Sequence, residues 1–502
     1  MSFSMNFPLF LIVLSLLSAV VSSLLGGKAA RRVTLGLTVL SFLLNAAVFV
    51  TCRLGDIDLF YKMGHFSHPW GNELRINQMN ALISAFFSLV LTLTVLGGGT
   101  QLKEKTAASK RPYFYVTTDL LQTAFLALAY TNDLFTGYVF VEICTLASIG
   151  VLVVRDNGQS ILAAMRYIIF SLIGSGLFLL GVVFLYEITG HLLMPELKET
   201  VTALYASGEY RLPLLTAECL IFLGLSVKCG LCPFHLWMAD TYGAAVPASA
   251  GILSGLVSKI YLYFSLRILF DVFSPEVFYE SGLQNILFIG GIAGMVVGSI
   301  GAIREENLRR MLAYSSAAQI GYIFMGIGIS AEAGVTAALF HIMAHAMTKP
   351  LLFLSAGQLG DTAHGAKKFR HLRGAGRSNP LAGVGFTIGA FSMIGLPLTA
   401  GFISKYLFGT AALSFGGTLK IVLTFTALAV STVLNTVYFA NTVLTLFTYR
   451  PLPEGIPAPL PTDLRAQPAF AVSAAVFVLM NLVFGVFAEP IVRLLQQCAG
   501  LL

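Results

Sequence analysis

Apolar residues run along this chain in long blocks cut by short clusters of charges, glycines and prolines. A bilayer core takes about 20 apolar residues of α-helix, and every backbone polar group inside it must be bonded within the segment. Cutting at charges and turn residues predicts helices at 7–26, 33–52, 79–98, 112–131, 134–154, 162–188, 212–240, 247–270, 283–303, 308–329, 334–357, 381–413, 418–449 and 467–492. The pattern is that of an all-α polytopic membrane protein with about fourteen transmembrane helices. Two helices are broken, 212–240 around Gly230 and Pro233 and 381–413 around Gly395, Pro397 and Gly401. The longest connections, 53–78, 189–211, 359–380 and 450–466, are too short for a soluble domain with its own core, so 1–502 reads as a single membrane domain. Ahead of the first block, Phe7 to Leu25, there is no positive run, and no small-residue cleavage site follows it. It is expected to be a retained transmembrane helix.

Composition excludes an ordinary water-facing protein: 56% of residues are hydrophobic and 11% charged, with a mean hydropathy of +0.82. The net charge of +7, from 31 Lys and Arg against 24 Asp and Glu, is too dispersed for a nucleic-acid footprint, and no nucleic-acid partner is expected. Six cysteines cannot make a disulfide scaffold for a chain of this length. The charge excess instead sets orientation in the lipid bilayer. When connections are assigned alternately to two sides, one side collects about nineteen basic residues, from Lys28, Arg31 and Arg32 through Lys103 to Arg111, Arg166 and 367–377 to Arg450 and Arg465, against roughly seven opposite. The rich side is expected to be cytoplasmic, which puts both termini outside. Asp56, Asp58, Glu73, Glu196, Glu199, Asp271, Glu276 and Glu280 are assigned to the outer loops.

Several charges fall inside apolar blocks, where each costs about 2.5 to 3.5 kcal/mol on insertion scales. Glu142 lies near the middle of 134–154, Lys228 and Lys259 lie deep in their helices, and Lys405 follows the second break. His341, His345 and Lys349 recur every four residues on one helix face. A single such group could snorkel or pair internally and do no more than orient helices. So many titratable groups at similar depth fit a shared proton relay better. Each broken helix also joins a Pro/Gly break to a lysine, and breaks at corresponding positions of two halves point to an ion pathway.

Other chemistry finds little support. His341 and His345 have the spacing of a metal-binding helix, but no Glu follows His341. Cys229, Cys232 and His235 stand alone in an apolar helix. No phosphate loop, iron–sulfur cysteine cluster or nucleophile motif stands out, so neither a metal nor a cofactor is expected in this chain, and no redox chemistry.

Five segments, in order, carry a resemblance. They are Asn132 to Phe135 with Glu142, Ala147 and Ser148; Lys228 with Pro233, His235 and Trp237, leading to Leu253, Gly255 and Lys259; Leu308 to Ser316 with Gln319 and Tyr322; His341, His345 and Lys349 with Pro350; and Gly395 to Gly401 with Lys405. Together they resemble the antiporter-like proton-translocating subunits shared by Mrp cation/proton antiporters, respiratory complex I and energy-converting hydrogenases. The stretch 131–148 is most similar to the D-type subunit of Mrp antiporters and its relatives in membrane-bound hydrogenases. One departure is Ala245 to Ser249, where the family usually has two prolines flanking one residue.

The resemblance implies two inverted five-helix repeats, 112–270 (helices 4–8) and 283–449 (helices 9–13), with helices 1–3 in 1–111 and a final helix in 467–495. It implies that Glu142 and Lys228 form an ion pair, that Lys259 is the central lysine, that His341 and His345 are a relay and that Lys405 is the terminal lysine, with Lys349 and His235 supporting. The expected function is that of a proton-translocating subunit in a multisubunit ion-pumping membrane complex, of Mrp type or a redox-driven relative. Its partners would be other hydrophobic subunits, and its ions protons, with Na+ a further candidate. The alternative is a stand-alone secondary transporter of an organic solute.

Overall fold

The computed structural model describes residues 3–66, 71–329, 332–449, 452, 455–462 and 467–499, so Arg450 and Arg465 lie outside the described residues. The chain opens with α1 (Phe7–Leu24) and α2 (Gly27–Gly55). A hairpin of β1 (Leu59–Lys62) and β2 (Glu73–Ile76), with Leu59 opposite Ile76, lies over one end of the bundle. Then follow α3 (Gln78–Lys105), α4 (Arg111–Tyr130), α5 (Leu134–Val153) and α6 (Gly158–Thr189). Asp133 caps α5 by accepting from the Thr136 amide at 2.6 Å, and Asn157 caps α6 in a reciprocal pair with Ser160.

Within the connection 189–211 the structure has a helix that the apolar pattern did not mark, α7 (Met194–Ser207). Three of its residues are charged and only Met194, Leu197 and Val201 are buried, so its signal is one narrow apolar stripe. Next come α8 (Arg211–Cys229), α9 (Leu236–Ala244), α10 (Pro247–Ile252), α11 (Ser258–Ile268) and α12 (Ser274–Ser281). The last three run on through π turns at Leu253–Val257 and Leu269–Phe273. The second half holds α13 (Leu283–Arg304), α14 (Leu308–Gly328), α15 (Glu332–Thr362), α16 (Ala375–Ser378), α17 (Pro380–Ile394), α18 (Ala400–Phe415) and α19 (Thr418–Phe447).

The expected single C-terminal helix is two helices, α20 (Pro468–Val486) and α21 (Ala488–Ala499). Pro490 fits the first turn of a new helix but would clash inside an older one. Arg53, in the last turn of α2, donates to Gln497 of α21 at 2.6 Å, which ties α21 to the end of α2.

By length and composition, eleven helices among the described residues could cross a membrane. In two segments, Pro247–Ser281 and Glu332–Thr362, the apolar stretch is enclosed by the other helices while the ends reach the surface. The two segments touch where Gly255 faces Pro350: a Cβ on Gly255 would lie 2.7 Å from the proline ring, so only glycine permits this approach. The two enclosed segments carry Lys259 and the His341, His345, Lys349 series, which puts those groups at the centre of the bundle.

Asp271 is corrected from outer loop to buried residue. It accepts from Arg75 at 2.6 Å and from Arg267 at 3.1 Å, an ion-pair cluster that closes the end of the bundle below the hairpin. The opposite face gathers Lys105, Arg155, Arg166, Arg309, Arg310 and Lys367, of which Lys105 pairs with Asp361, Arg166 with Asp240, and Arg310 with Asp240 and Glu305.

Candidate functional site

Helix α8 ends at Gly230, whose φ of 79° is open to glycine without strain, and α17 ends at Gly395 with φ 88°. Both ends close alike. The amides of Gly230 and Leu231 bond to Val227 and Ser226, and those of Gly395 and Leu396 to Ser392 and Phe391. Each end therefore stops a helix and leaves a lysine beside the stop.

At the first stop, the Lys228 ammonium donates to Glu142 at 2.9 Å and to the Thr145 hydroxyl at 2.8 Å. Ser175 of α6 also donates to Glu142. Lys228 is buried, whereas the Glu142 side chain keeps 23% of its exposure, so the carboxylate sits at the flank of the chain and not in its middle. Neighbouring Val139 and Leu146 face outward on the same helix. Tyr261 lies under the pair, with its hydroxyl 3.3 Å from Thr145 and its ring 5.8 Å from the ammonium.

No direct hydrogen bond joins Lys228 to Lys259 among the described residues, but the thiol of Cys229, next to Lys228, lies 3.9 Å from the carbonyl of Ser258, next to Lys259. Lys259 is fully buried and donates to the Ser254 carbonyl at 2.7 Å and the Ser258 hydroxyl at 2.9 Å. The π turn Leu253–Val257 widens the helix there, which frees the Ser254 carbonyl to take the ammonium.

Beyond Lys259 the polar line divides. One branch passes through serines: the Ser254 and Ser316 hydroxyls are 2.8 Å apart, and neighbouring Ser315 accepts from Lys349 at 2.9 Å. Lys349 is thus bound into the line through α14. The other branch is aromatic, with His345 and His341 stacked at 6.0 Å and Tyr322 on His341 at 5.5 Å. Lys259 lies within electrostatic reach of both imidazoles.

His341 shares a 2.6 Å contact through Nδ1 with Ser404, the residue before Lys405. The Lys405 ammonium then donates to the Ile394 carbonyl at 2.5 Å and to Thr432 at 2.8 Å, 5.7 Å from the Tyr322 ring centre. Like Glu142, Lys405 is only half-buried. Seven of the eight expected site residues therefore fall on one line. His235 stands apart, beside the Tyr314 ring at 6.5 Å with Nδ1 unbonded.

The matched family model is described as NADH:quinone oxidoreductase/Mrp antiporter, transmembrane, and it covers residues 131–431, from just before Glu142 to just before Thr432. The chain belongs to this family. The N subunit of the NADH-quinone oxidoreductase of Desulforudis audaxviator is 32% identical over 402 residues, 80% of this chain and 76% of that protein. The D subunit of the Na(+)/H(+) antiporter of Bacillus subtilis is 26% identical over 441 residues, 87% of this chain and 85% of that one. Among solved structures, a chain of the membrane-bound sulfane sulfur reductase, an archaeal respiratory membrane complex, superposes with a TM-score of 0.86 at 26% identity, covering 99% of this chain and 97% of that chain. The protein is accordingly an antiporter-like membrane subunit of the kind found in ion-pumping complexes.

Two buried carboxylates escaped the sequence reading. Asp119 of α4 accepts from Ser18 at 2.8 Å and Ser22 at 2.9 Å, and Glu218 of α8 is buried near Ser281 with neither oxygen hydrogen-bonded. The criterion that marked Glu142, a carboxylate inside an apolar helix, marks both. No group of His, Cys, Asp and Glu among the described residues is placed to hold a metal ion.

Proposed function

We propose that this chain moves protons along the line Glu142, Lys228, Lys259, His345, His341, Lys405 as the channel-forming subunit of a multisubunit ion-translocating complex. The observation that carries the reading is one line of titratable groups threading the two enclosed segments and reaching the flank of the chain at both ends. A charge so placed is expensive, and these groups are held by carbonyls that accept hydrogen bonds in place of water and by hydroxyls that can take up one proton while passing on another. His341 Nε2 and both ring nitrogens of His345 are buried without a hydrogen-bond partner, as is the Ser226 hydroxyl near Lys228. Such polar sites are where bridging water is expected.

In this reading Glu142 is the switch. Opposite charges about 4 Å apart interact by about 4 kcal/mol at an effective dielectric of 20. While Glu142 is in contact, Lys228 keeps its proton; when the carboxylate moves away, burial favours release toward Lys259. Because Glu142 and Lys405 stand at the flanks, neighbouring subunits can reach both ends, which suits a driving force supplied from outside this chain.

The finer architecture follows the same lines. The eleven candidate spans become fourteen when Arg111–Tyr130, Leu308–Gly328 and the pair Pro380–Ile394 with Ala400–Phe415 are added. The matching helix ends at Gly230 and Gly395 favour two inverted repeats, 112–270 and 283–449, each with a broken span. The positive-inside rule puts the Arg166 and Arg310 face in the cytoplasm and both termini outside. The deciding experiment is Glu142→Gln in the whole complex. The complex should assemble and lose coupled proton transport; assembly with parental transport would refute the switch.

A further inference from the structure

On the Lys/Arg-rich face, away from the proton line, a cavity of about 250 Å³ opens between the first turns of α6, the end of α9 and the start of α14. Arg166, Arg310 and Lys367 line it with one carboxylate, Asp240. Asp240 accepts from both arginines and Glu305 accepts from Arg310 Nε, so each guanidinium keeps free donors toward the cavity. The Lys367 ammonium has no hydrogen bond or ion pair with a described residue. Burial, and then the charges of Arg309, Arg155 and Lys105, push it down from 10.5 to about 8, so positive charge at this spot is in excess. The charges behind it are already committed, since Arg309 and Arg155 bond the Ala245 and Ala244 carbonyls at the end of α9 and Lys105 pairs with Asp361. On the α6 side the cavity borders a lipid-facing wall, where Leu162, Met165 and Ile169 are each more than half exposed.

We propose that this cavity binds a phosphate-bearing anion, and that its occupant is the headgroup of an acidic phospholipid whose acyl chains lie along α6. A phosphodiester matches two forked guanidiniums and an ammonium, and the α6 wall supplies the apolar surface that a free phosphate would not use. The cavity lies at the level where the first turns of α6 and α14 begin, which is where a headgroup sits relative to spanning helices. The inference is independent of the proton route.

To test it, the whole complex is purified, exchanged into phosphatidylcholine micelles and titrated with phosphatidylglycerol, and the lipid retained is counted by mass spectrometry. Lys367→Gln and Arg166→Gln should each weaken retention about fivefold. Lys367→Arg should restore it, and Lys368→Gln, the same charge loss in the same loop but outside the cavity, should leave it unchanged. Excess inorganic phosphate should not displace the lipid. Equal retention in parent and both Gln variants, equal retention of phosphatidylcholine alone, or displacement by phosphate would each overturn the assignment.

Discussion

The two ends of the proposed proton line hold the same side chain in opposite ways. Lys228 is buried and faces a carboxylate at 2.9 Å; Lys405 is half-buried and faces a carbonyl and a hydroxyl. Both sit beside a glycine-closed helix end, so the backbone is alike and the counter-charge differs. A lysine held by a carboxylate can be switched by moving that carboxylate. A lysine held by neutral acceptors responds instead to its neighbours, here the His341 and Tyr322 rings. In the proposed mechanism the first end would gate and the second would hand a proton on.

Removing the counter-charge tests this difference most severely. Glu142→Gln or Lys228→Ala should cut coupled transport of the assembled complex at least about a hundredfold, since either removes the charge interaction of about 4 kcal/mol on which the switch depends. Glu142→Asp, with the charge on a shorter stem, should keep part of it. Proton uptake by vesicles containing the whole complex is the measurement. At the other end, Thr432→Val removes one hydrogen bond from the ammonium to a neutral hydroxyl, about 1.5 kcal/mol, and should slow transport roughly tenfold. An equal loss from Thr432→Val and Glu142→Gln would erase the distinction between the ends.

The glycine pair sharpens the comparison. Gly230→Ala and Gly395→Ala both force a left-handed conformation on an L-residue, at about 1 to 2 kcal/mol each, and thermal unfolding of the complex should report similar losses. Their functional effects should differ. A Cβ at 395 would lie 2.9 Å from Lys405 Cδ, whereas at 230 it meets the flexible Met238 sulfur. Only Gly395→Ala should therefore lower transport in complexes that remain folded. Smaller in consequence for mechanism, a cysteine placed in 367–377 should be shielded from an impermeant thiol reagent in intact cells, while one at the C-terminal end should react; the reverse would invert the orientation. Exposed Glu199→Gln should be silent in every assay.

Much of this was legible along the chain. The length of each apolar block predicts a helix because unsatisfied backbone groups are intolerable in lipid, and the structure is mostly helical, with eleven helices among the described residues long and apolar enough to cross a membrane. Glu142, Lys228, Lys259, His341, His345 and Lys405 were legible because a charge in an apolar block is costly and needs a reason. The tertiary structure decided what one-dimensional periodicity does not carry. It put Asp271 inside an ion-pair cluster, because its partners Arg75 and Arg267 are distant in sequence or one helical turn away. It split the last apolar block at Phe487, and it set His235 beside Tyr314 and off the line. It bound Lys349 to the line through Ser315, and it brought Glu142 to the flank of the bundle. Each of these depends on which helix lies beside which, and side-chain distances across helices arise only when the bundle is packed.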